Sequence, residues 1–328
     1  MIVRIRDKVK RMGIIKIFQK IYEHPDKIIT NLGRRGLLNW MDDETYIKLL
    51  YYLVFRHPLN LREPKTFNEK IQWLKLYDRR PDYTKMVDKY EVKKYIADEI
   101  GEEFVIPTIG IWDDFEEIDF NGFPPRFVLK CTHDSGGIVI CRDKSRLDIK
   151  NTRKKLSRLL KQNFFYYGRE YPYKNVKPRI MAEQYMENTR NYELKYSNHD
   201  NTENELIDYK LLCFNGKVKV SFTCTEHNFS SGLKVTFYDR EWNELPFERH
   251  YPKSSIPISK PHNYKKMVEL AEHLSDGIPL LRVDFYEIQE KLYIGELTFY
   301  PGCGLEEFTP SSIDYEMGNW IEIPPSKT

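Results

Sequence analysis

The sequence lacks several patterns that mark whole classes of protein. Its five cysteines form no CxxC pair and no zinc-like spacing with the eight histidines, which argues against a zinc site and a disulfide framework. The formal net charge is only +3, so no global field favours wrapping by nucleic acid. No secretory signal opens the chain, and no apolar run of about 18 residues could span a bilayer. We therefore expect a globular cytoplasmic protein with no nucleic-acid partner.

The first 25 residues have a different composition from the rest, because basic and apolar side chains alternate there. The basic residues of this segment are Arg4, Arg6, Lys8, Lys10, Arg11, Lys16 and Lys20, against Asp7. The pattern predicts an amphipathic helix that makes a peripheral contact with an anionic membrane face. A helix packed on the protein body, with its lysines in solvent, fits the same pattern.

Hydrophobic periodicity predicts helices in the first part of the chain. Residues 1–84 have apolar stripes at helical spacing, and Thr66 with Glu69 three residues later forms a capping-box signal. The segment 87–100 predicts another helix, which Gly101 ends.

Farther along, short apolar runs alternate with helical segments. The runs FVIPTIGIW, PRFVLKCT, GGIVICRD and IMAEQYM predict strands, and 151–164 and 264–274 predict helices. Three antiparallel strands are then expected, with turns at Asn215-Gly216 and Ser231-Gly232. LLRVDFYEIQEKLYIGELTFY predicts a closing hairpin. These elements together indicate an α+β fold.

The segment FVLKCTHDSGGIVI is the sharpest local motif. Lys130 lies on a strand, and residues 133–137 form a polar, glycine-containing loop that leads to the next strand. Glycines let the backbone approach a ligand, and successive amides bind phosphate oxygens, while the lysine reaches the phosphates as a point charge. A plain hairpin turn with an exposed lysine is the alternative.

The closing hairpin carries a second set of polar residues. Arg282 and Asp284 share one strand face, and Glu296 and Thr298 share another, because strand side chains alternate with period two. Two carboxylates on adjacent strands suit magnesium, and the arginine suits a transferring phosphoryl group. A solvated strand face with an Arg–Asp pair is the alternative.

Three weaker motifs remain. The segment 183–187 resembles a hinge whose backbone reads an adenine edge, with Glu187 free for ribose hydroxyls; an ordinary strand end fits as well. Asp208 and Lys210 share a strand face, as a phosphate contact or a surface ion pair. Cys303 lies in a tight turn without a histidine nearby in sequence, which argues against a nucleophile.

The order of these pieces resembles the ATP-grasp superfamily, and the likeness is closest to its TupA-like branch, named for teichuronopeptide biosynthesis. The phrases KTFNEKIQWLKLYDRRPDYTKMVDKY and GELTFYPGCGLEEFTP resemble that branch in particular. The resemblance covers roughly residues 40–325. It implies the α+β ATP-grasp fold, in which two α+β lobes clasp ATP, here with a helical N-terminal region. The implied divisions are 1–84, a small lobe at 85–182 and a C-terminal lobe at 183–328.

The resemblance also implies a role for each matching position. The implied nucleotide-binding residues are Lys89, Lys130, Ser135, Gly136, Gly137, Glu183, Gln184, Tyr185, Met186 and Glu187. The implied catalytic residues are Arg282 and Lys210. The implied magnesium ligands are Asp284, Glu296 and Thr298, the last of which stands where relatives often have asparagine.

The implied function is that of an ATP- and Mg²⁺-dependent carboxylate–amine ligase acting through an acyl phosphate. Its carboxylate and amine substrates are expected to be sugar-linked parts of a cell-surface polysaccharide. Two other functions fit the same nucleotide cleft. One is a phosphotransferase that acts on a sugar hydroxyl, and the other is a non-catalytic nucleotide-binding protein of glycan assembly.

Overall fold

The computed structural model describes residues 25–187, 206–225, 232–255 and 257–324. The basic amphipathic segment predicted at residues 1–25 lies outside these ranges, except for Pro25. Within them, no helix combines the length and apolar character that crossing a membrane requires.

All regular secondary structure between residues 25 and 100 is helical. The helices are α1 (Pro25–Arg34), α2 (Asp43–Phe55), α3 (Phe67–Tyr77), α4 (Tyr83–Val87) and α5 (Glu91–Ile100). The capping box is confirmed at the start of α3, because Thr66 Oγ1 accepts from the Glu69 amide at 3.1 Å and the Glu69 carboxylate accepts from the Thr66 amide. Local sequence therefore determines where this helix begins.

The helix predicted over residues 87–100 begins only at Glu91, so its predicted start is wrong. Asp88 Oδ1 accepts hydrogen bonds from the amides of Tyr90 at 2.9 Å and Glu91 at 3.3 Å, which separates α4 from α5. The helix ends at Ile100 as expected, since Gly101 has a φ of 120° that suits glycine. The interruption leaves Lys89 between two helices.

A four-stranded antiparallel sheet follows. Its strands are β1 (Thr108–Trp112), β2 (Phe127–Cys131), β3 (Ile138–Cys141) and β4 (Ile180–Gln184), in the order β1-β4-β2-β3. The helix predicted at 151–164 is present as α6 (Ile149–Leu160), followed by the short α7 (Phe165–Gly168). Leu156 of α6 and Leu129 of β2 share one apolar core.

A five-stranded antiparallel sheet forms the rest of the fold, in the order β10-β9-β5-β6-β7. Its strands are β5 (Asp208–Phe214), β6 (Lys217–Thr225), β7 (Lys234–Tyr238), β9 (Leu280–Ile288) and β10 (Lys291–Thr298). The remaining elements are β8 (Glu248–Arg249), α8 (Tyr264–Leu274), β11 (Phe308–Thr309) and α9 (Ser312–Asn319). The turn at Asn215-Gly216 has φ values of 48° and 77°, which suit a two-residue hairpin. The turn expected at Ser231-Gly232 lies partly outside the described residues.

The helical N-terminal region packs on the larger sheet. Phe67, Ile71 and Leu74 of α3 belong to the same apolar core as Leu211 of β5 and Val283 of β9. Burial of these side chains attaches the helices to the strands that carry the predicted site. The domain divisions at residues 84 and 182 stay a prediction.

Candidate active site

Lys89 joins the glycine-containing loop to the last hairpin. Its amide donates to the carbonyl oxygen of Thr132 at 3.1 Å, and its Nζ donates to the carbonyl oxygen of Asp134 in the loop after β2. The same Nζ lies 3.9 Å from Glu296 Oε1 on β10. Lys89, a predicted nucleotide-binding lysine, therefore lies next to Glu296, a predicted magnesium ligand.

The hairpin of β9 and β10 brings four predicted side chains together. Its register places Glu296 opposite Asp284 and Thr298 opposite Arg282. Arg282 Nε lies 2.6 Å from Asp284 Oδ1 and its Nη2 lies 2.7 Å from Oδ2, which is the two-bond fork that arginine forms with carboxylates. The Nη2 atom also lies 3.6 Å from Glu296 Oε2.

Lys210 extends this group of charges from the neighbouring strand β5. Its Nζ lies 2.5 Å from Oδ2 of both Asp208 and Asp284. Burial raises the pKa of Asp284, but the charges of Arg282 and Lys210 outweigh burial, so the pKa lies below its ordinary value. Lys210 is therefore bound between two carboxylates, and it is buried rather than free at the surface.

Lys130 lies in a second buried ion-pair group beside β4. Its Nζ is 2.5 Å from Glu183 Oε2, and Lys93 Nζ is 2.9 Å from Glu183 Oε1. Burial raises the pKa of Glu183, but the charges of Lys130 and Lys93 lower it by more than burial raises it. The pKa therefore lies below its ordinary value, and the ionised carboxylate is favoured. Sequence reasoning missed Lys93 of α5, because helical periodicity carries no signal for a partner such as Glu183 on β4.

Carboxylates of both groups of charges act on Tyr286. Its pKa is raised first by Asp208, next by burial, and further by the carboxylates Asp284, Glu296 and Glu183. Gly295 makes room for the ring, since a Cβ there would lie 2.8 Å from Tyr286 Cε2. Sequence reasoning missed Tyr286 too, although it is two residues after Asp284 on the same strand face. The phenol of Tyr286 is thus in the field of Glu183, which pairs with Lys130, and of the hairpin carboxylates.

The remaining predicted residues lie at the edges of the site. Ser135 and Gly136 are exposed at the tip of the loop, and Gly136 has a φ of 83°. Gln184 is also exposed, and Met186 is half-buried. Glu187 Oε2 accepts from Arg126 Nη1 at 2.7 Å, and the Arg126 guanidinium lies 5.3 Å from the Tyr185 ring centre. Arg126 therefore contacts both Tyr185 and Glu187, the residue predicted to contact ribose.

The sequence of this chain matches the family described as TupA-like ATPgrasp over residues 69–322. That span is more than half of the chain. The chain belongs to the TupA-like ATP-grasp family. Membership confirms the ATP-grasp fold expected from the sequence, with its α+β architecture and its helical N-terminal region.

Solved structures similar to this TupA-like protein are distant in sequence. D-alanine–D-alanine ligase from Helicobacter pylori is 12% identical with a TM-score of 0.36, covering 71% of this chain and 59% of its own. The ADP complex of purK, N5-carboxyaminoimidazole ribonucleotide synthetase, is 13% identical with a TM-score of 0.42, covering 79% and 57%. The ATP-grasp ligase PsnB with its minimal precursor is 11% identical with a TM-score of 0.38, covering 83% and 67%. This chain thus spans less than two thirds of the first two structures. A comparison with curated proteins finds no match.

The hairpin of this TupA-like protein has donors that fit a magnesium ion. Asp284 and Glu296 are register partners, and Thr298 Oγ1 is buried with no hydrogen-bond partner among the described residues. Within those residues no group of three or more His, Cys, Asp and Glu side chains is arranged as a metal cage. Mg²⁺ bound by one or two carboxylates takes its other ligands from phosphates and water. The donor set therefore suits magnesium that arrives with a nucleotide.

A further polar cluster beneath the hairpin was not predicted. Lys75 of α3 lies 2.6 Å from the carbonyl oxygen and 3.0 Å from Sγ of Cys303. Burial raises the pKa of the Cys303 thiol to about 12, and burial also raises the pKa of Glu170 beside it, although Lys75 opposes this. The thiol is therefore protonated at neutral pH, which agrees with the sequence argument against a cysteine nucleophile.

Proposed function

We propose that this protein is an ATP- and Mg²⁺-dependent carboxylate–amine ligase that forms an amide through an acyl phosphate. The observation that carries the proposal is the position of Lys89. One Nζ atom donates to a carbonyl of the glycine-containing loop and lies 3.9 Å from Glu296. Loop, lysine and acidic hairpin thus meet in one place, and in the proposal the γ-phosphate of ATP occupies the volume beside them.

The charges around this volume support phosphoryl transfer. In the proposal, Lys89 and Lys130 bind the phosphates as point charges, and the amides of Ser135, Gly136 and Gly137 bind phosphate oxygens. Closure of this loop excludes water from the acyl phosphate.

The hairpin supplies the second half of the proposed chemistry. Asp284, Glu296 and Thr298 would hold magnesium, whose chemistry is to neutralise charge on the β- and γ-phosphates. Arg282 stabilises charge that develops when a substrate carboxylate attacks the γ-phosphorus and again when an amine attacks the acyl carbon. Lys210 orients Asp284 from the neighbouring strand β5, where it forms short ion pairs with both Asp208 and Asp284.

The proposed carboxylate is sugar-linked, such as a uronic acid of a cell-surface polysaccharide or an amino acid attached to one. The support for this substrate class is the resemblance to the TupA-like branch. The chain's 23 tyrosines are compatible with stacking on sugar rings.

We expect ADP release to require both substrates and magnesium. The measurement is ADP release over a panel of uronic acid glycans crossed with amino acids, with Mg²⁺ or with EDTA. With the active carboxylate alone, hydroxylamine should yield a hydroxamate, because it traps an acyl phosphate. ADP release without any hydroxamate would instead indicate a phosphotransferase. Thermal stabilisation by MgATP without ADP release from any pair would indicate a binding protein.

We further propose that the protein contacts the anionic inner face of a membrane through its N-terminal end. The basic segment at residues 1–25 leads into α1, and the loop after α1 exposes two large apolar side chains. Trp40 is 77% exposed and Leu37 is 59% exposed, with Arg35 exposed beside them. Tryptophan and basic side chains together favour the interface of an anionic bilayer.

Replacing Leu37 and Trp40 together by serine and alanine is expected to weaken binding to anionic vesicles about tenfold, because the variant loses apolar area that enters the interface. The measurement is co-sedimentation with phosphatidylcholine vesicles that contain or lack phosphatidylglycerol. Tyr315→Ala is the matched control, since Tyr315 is 55% exposed on α9. Equal sedimentation of the full chain and a variant lacking residues 1–24 would refute the proposed contact.

A further inference from the structure

Asp134 is a buried carboxylate that the proposed mechanism has not used. The residue is 3% exposed in the loop between β2 and β3. Among the described residues, neither of its carboxylate oxygens has a hydrogen-bond partner. Its ion pair with Arg34 Nη2 spans 3.9 Å, and Arg34 Nε already donates to Gln162 at 2.7 Å. Buried carboxylates without hydrogen bonds are rare because desolvation is costly.

The position of this carboxylate is set by its own backbone and by Gly137. The Asp134 carbonyl oxygen accepts from Lys89 Nζ, which in turn lies 3.9 Å from Glu296 Oε1. A Cβ on Gly137 would lie 2.4 Å from Asp134 Oδ2 and 2.5 Å from Oδ1. Glycine at 137 therefore leaves the space that the carboxylate fills, in addition to its predicted contact with phosphate.

The charges of Asp134 and of the hairpin residues both act on the hydroxyl of Tyr173. Burial is the main cause that raises the pKa of Tyr173. The other charges that act on its hydroxyl are Glu296, Glu170, Arg282 and Asp134. One phenol thus lies in the field of the hairpin residues and of Asp134 together.

A carboxylate beside a triphosphate is repelled by it, most strongly where water is excluded. The carboxylate of Asp134 is stabilised when a cationic group of the second substrate enters and donates hydrogen bonds to its two unpaired oxygens. We propose that Asp134 binds the ammonium group of the amine substrate next to the site where the acyl phosphate forms. This inference rests on the proposed ligase function.

The carboxylate also has a defined place in the amide-forming step. One ammonium proton passes to Asp134, and the nitrogen lone pair forms the bond to the acyl carbon. The bond between that carbon and the phosphate oxygen breaks, and phosphate leaves with the bonding electrons. The departing phosphate accepts the second proton, which the nitrogen loses as the amide forms. No further reactant is needed.

Asp134→Asn removes the charge while nearly preserving the shape. We expect the KM for the amino acid that supports ADP release to rise about tenfold or more, since a charge-assisted contact is lost. Hydroxamate formation from the same carboxylate should stay within about threefold of wild type, because hydroxylamine is a neutral nucleophile at pH 7 and needs no ammonium site. Asp119→Asn is the control, since Asp119 is an exposed N-cap residue for which asparagine serves equally well.

The outcomes separate the two proposals. Failure of the wild-type protein to form any hydroxamate would contradict the ligase function itself. Wild-type hydroxamate formation combined with an unchanged amine KM in Asp134→Asn would overturn only the ammonium site. A changed Mg²⁺ requirement of Asp134→Asn with an unchanged KM for the amine would also overturn the ammonium site, because it would indicate that Asp134 binds the metal. Thermal unfolding of Asp134→Asn within about 2 °C of wild type excludes a folding defect as the cause.

Discussion

Replacing Arg282 by alanine is expected to lower turnover by about 10²-fold or more, because one donor aimed at developing charge commonly contributes about 3–4 kcal/mol to lowering the barrier. Arg282 makes two hydrogen bonds to Asp284 and lies 3.6 Å from Glu296. In the proposed function, Arg282 stabilises the charge that develops first on the phosphoryl group and then on the oxyanion. The measurement is ADP release at saturating ATP with the productive substrate pair.

The alanine variant also removes a counter-charge, which complicates its interpretation. Without Arg282, Asp284 keeps only Lys210, which it shares with Asp208. Arg282→Lys retains the positive charge but loses the two-bond fork, so we expect it to fold normally and still lose about 10²-fold in turnover. Arg240→Ala is the matched control, because Arg240 lies in the turn after β7, contacts Glu272 of α8 and is more exposed than Arg282. Near-normal ADP release by Arg282→Lys and Arg282→Ala would contradict the assignment.

Replacing Glu183 by alanine is expected to lower the free energy of unfolding by about 3 kcal/mol without nucleotide. The carboxylate is 5% exposed and neutralises Lys130 at 2.5 Å and Lys93 at 2.9 Å. Removing it leaves two half-buried ammonium groups without their common counter-charge, and breaking a buried ion pair typically costs about 3–5 kcal/mol. We expect a loss at the lower end of this energy range because Lys93 Nζ still donates to the carbonyl oxygen of Ile106 at 2.5 Å.

Urea unfolding at neutral pH measures this loss, because the midpoint urea concentration and the slope of the transition together give the free energy of unfolding. Glu187→Ala is the matched control, since its ion pair with Arg126 is half-exposed and should contribute less than about 1 kcal/mol. A loss in Glu183→Ala no larger than the control's would mean that the two lysines have other counter-charges.

Local features were predictable from the sequence because their causes are local. The capping box of Thr66 and Glu69 involves groups three residues apart. The closing hairpin forms as the alternation along its two strands predicts, although the pairing of Asp284 with Glu296 depends on a register shift between Ile294 and Glu296. Asn215-Gly216 adopts positive φ values, which these two residue types tolerate better than others.

The errors and omissions involve partners that are distant in the chain. Asp88 separates α4 from α5, and its other carboxylate oxygen accepts from Arg179 Nη2 at 2.9 Å, a residue that helical periodicity does not consider. Lys93 and Lys130 meet Glu183 across a sheet. Nothing in the alternation of β4 indicated that the Glu183 side chain is occupied by two lysines.

The sequence by itself determined the family, the order of helices and strands, and the hairpin that carries Arg282, Asp284 and Glu296, because motif order and short-range periodicity are properties of the chain alone. Only the tertiary structure decided which charges neutralise one another. It showed Lys210 bound between Asp208 and Asp284 and left Asp134 buried without a hydrogen bond among the described residues. The physical reason is that ion pairing and burial depend on distances through space, and these are set when the two sheets and the helical region pack together.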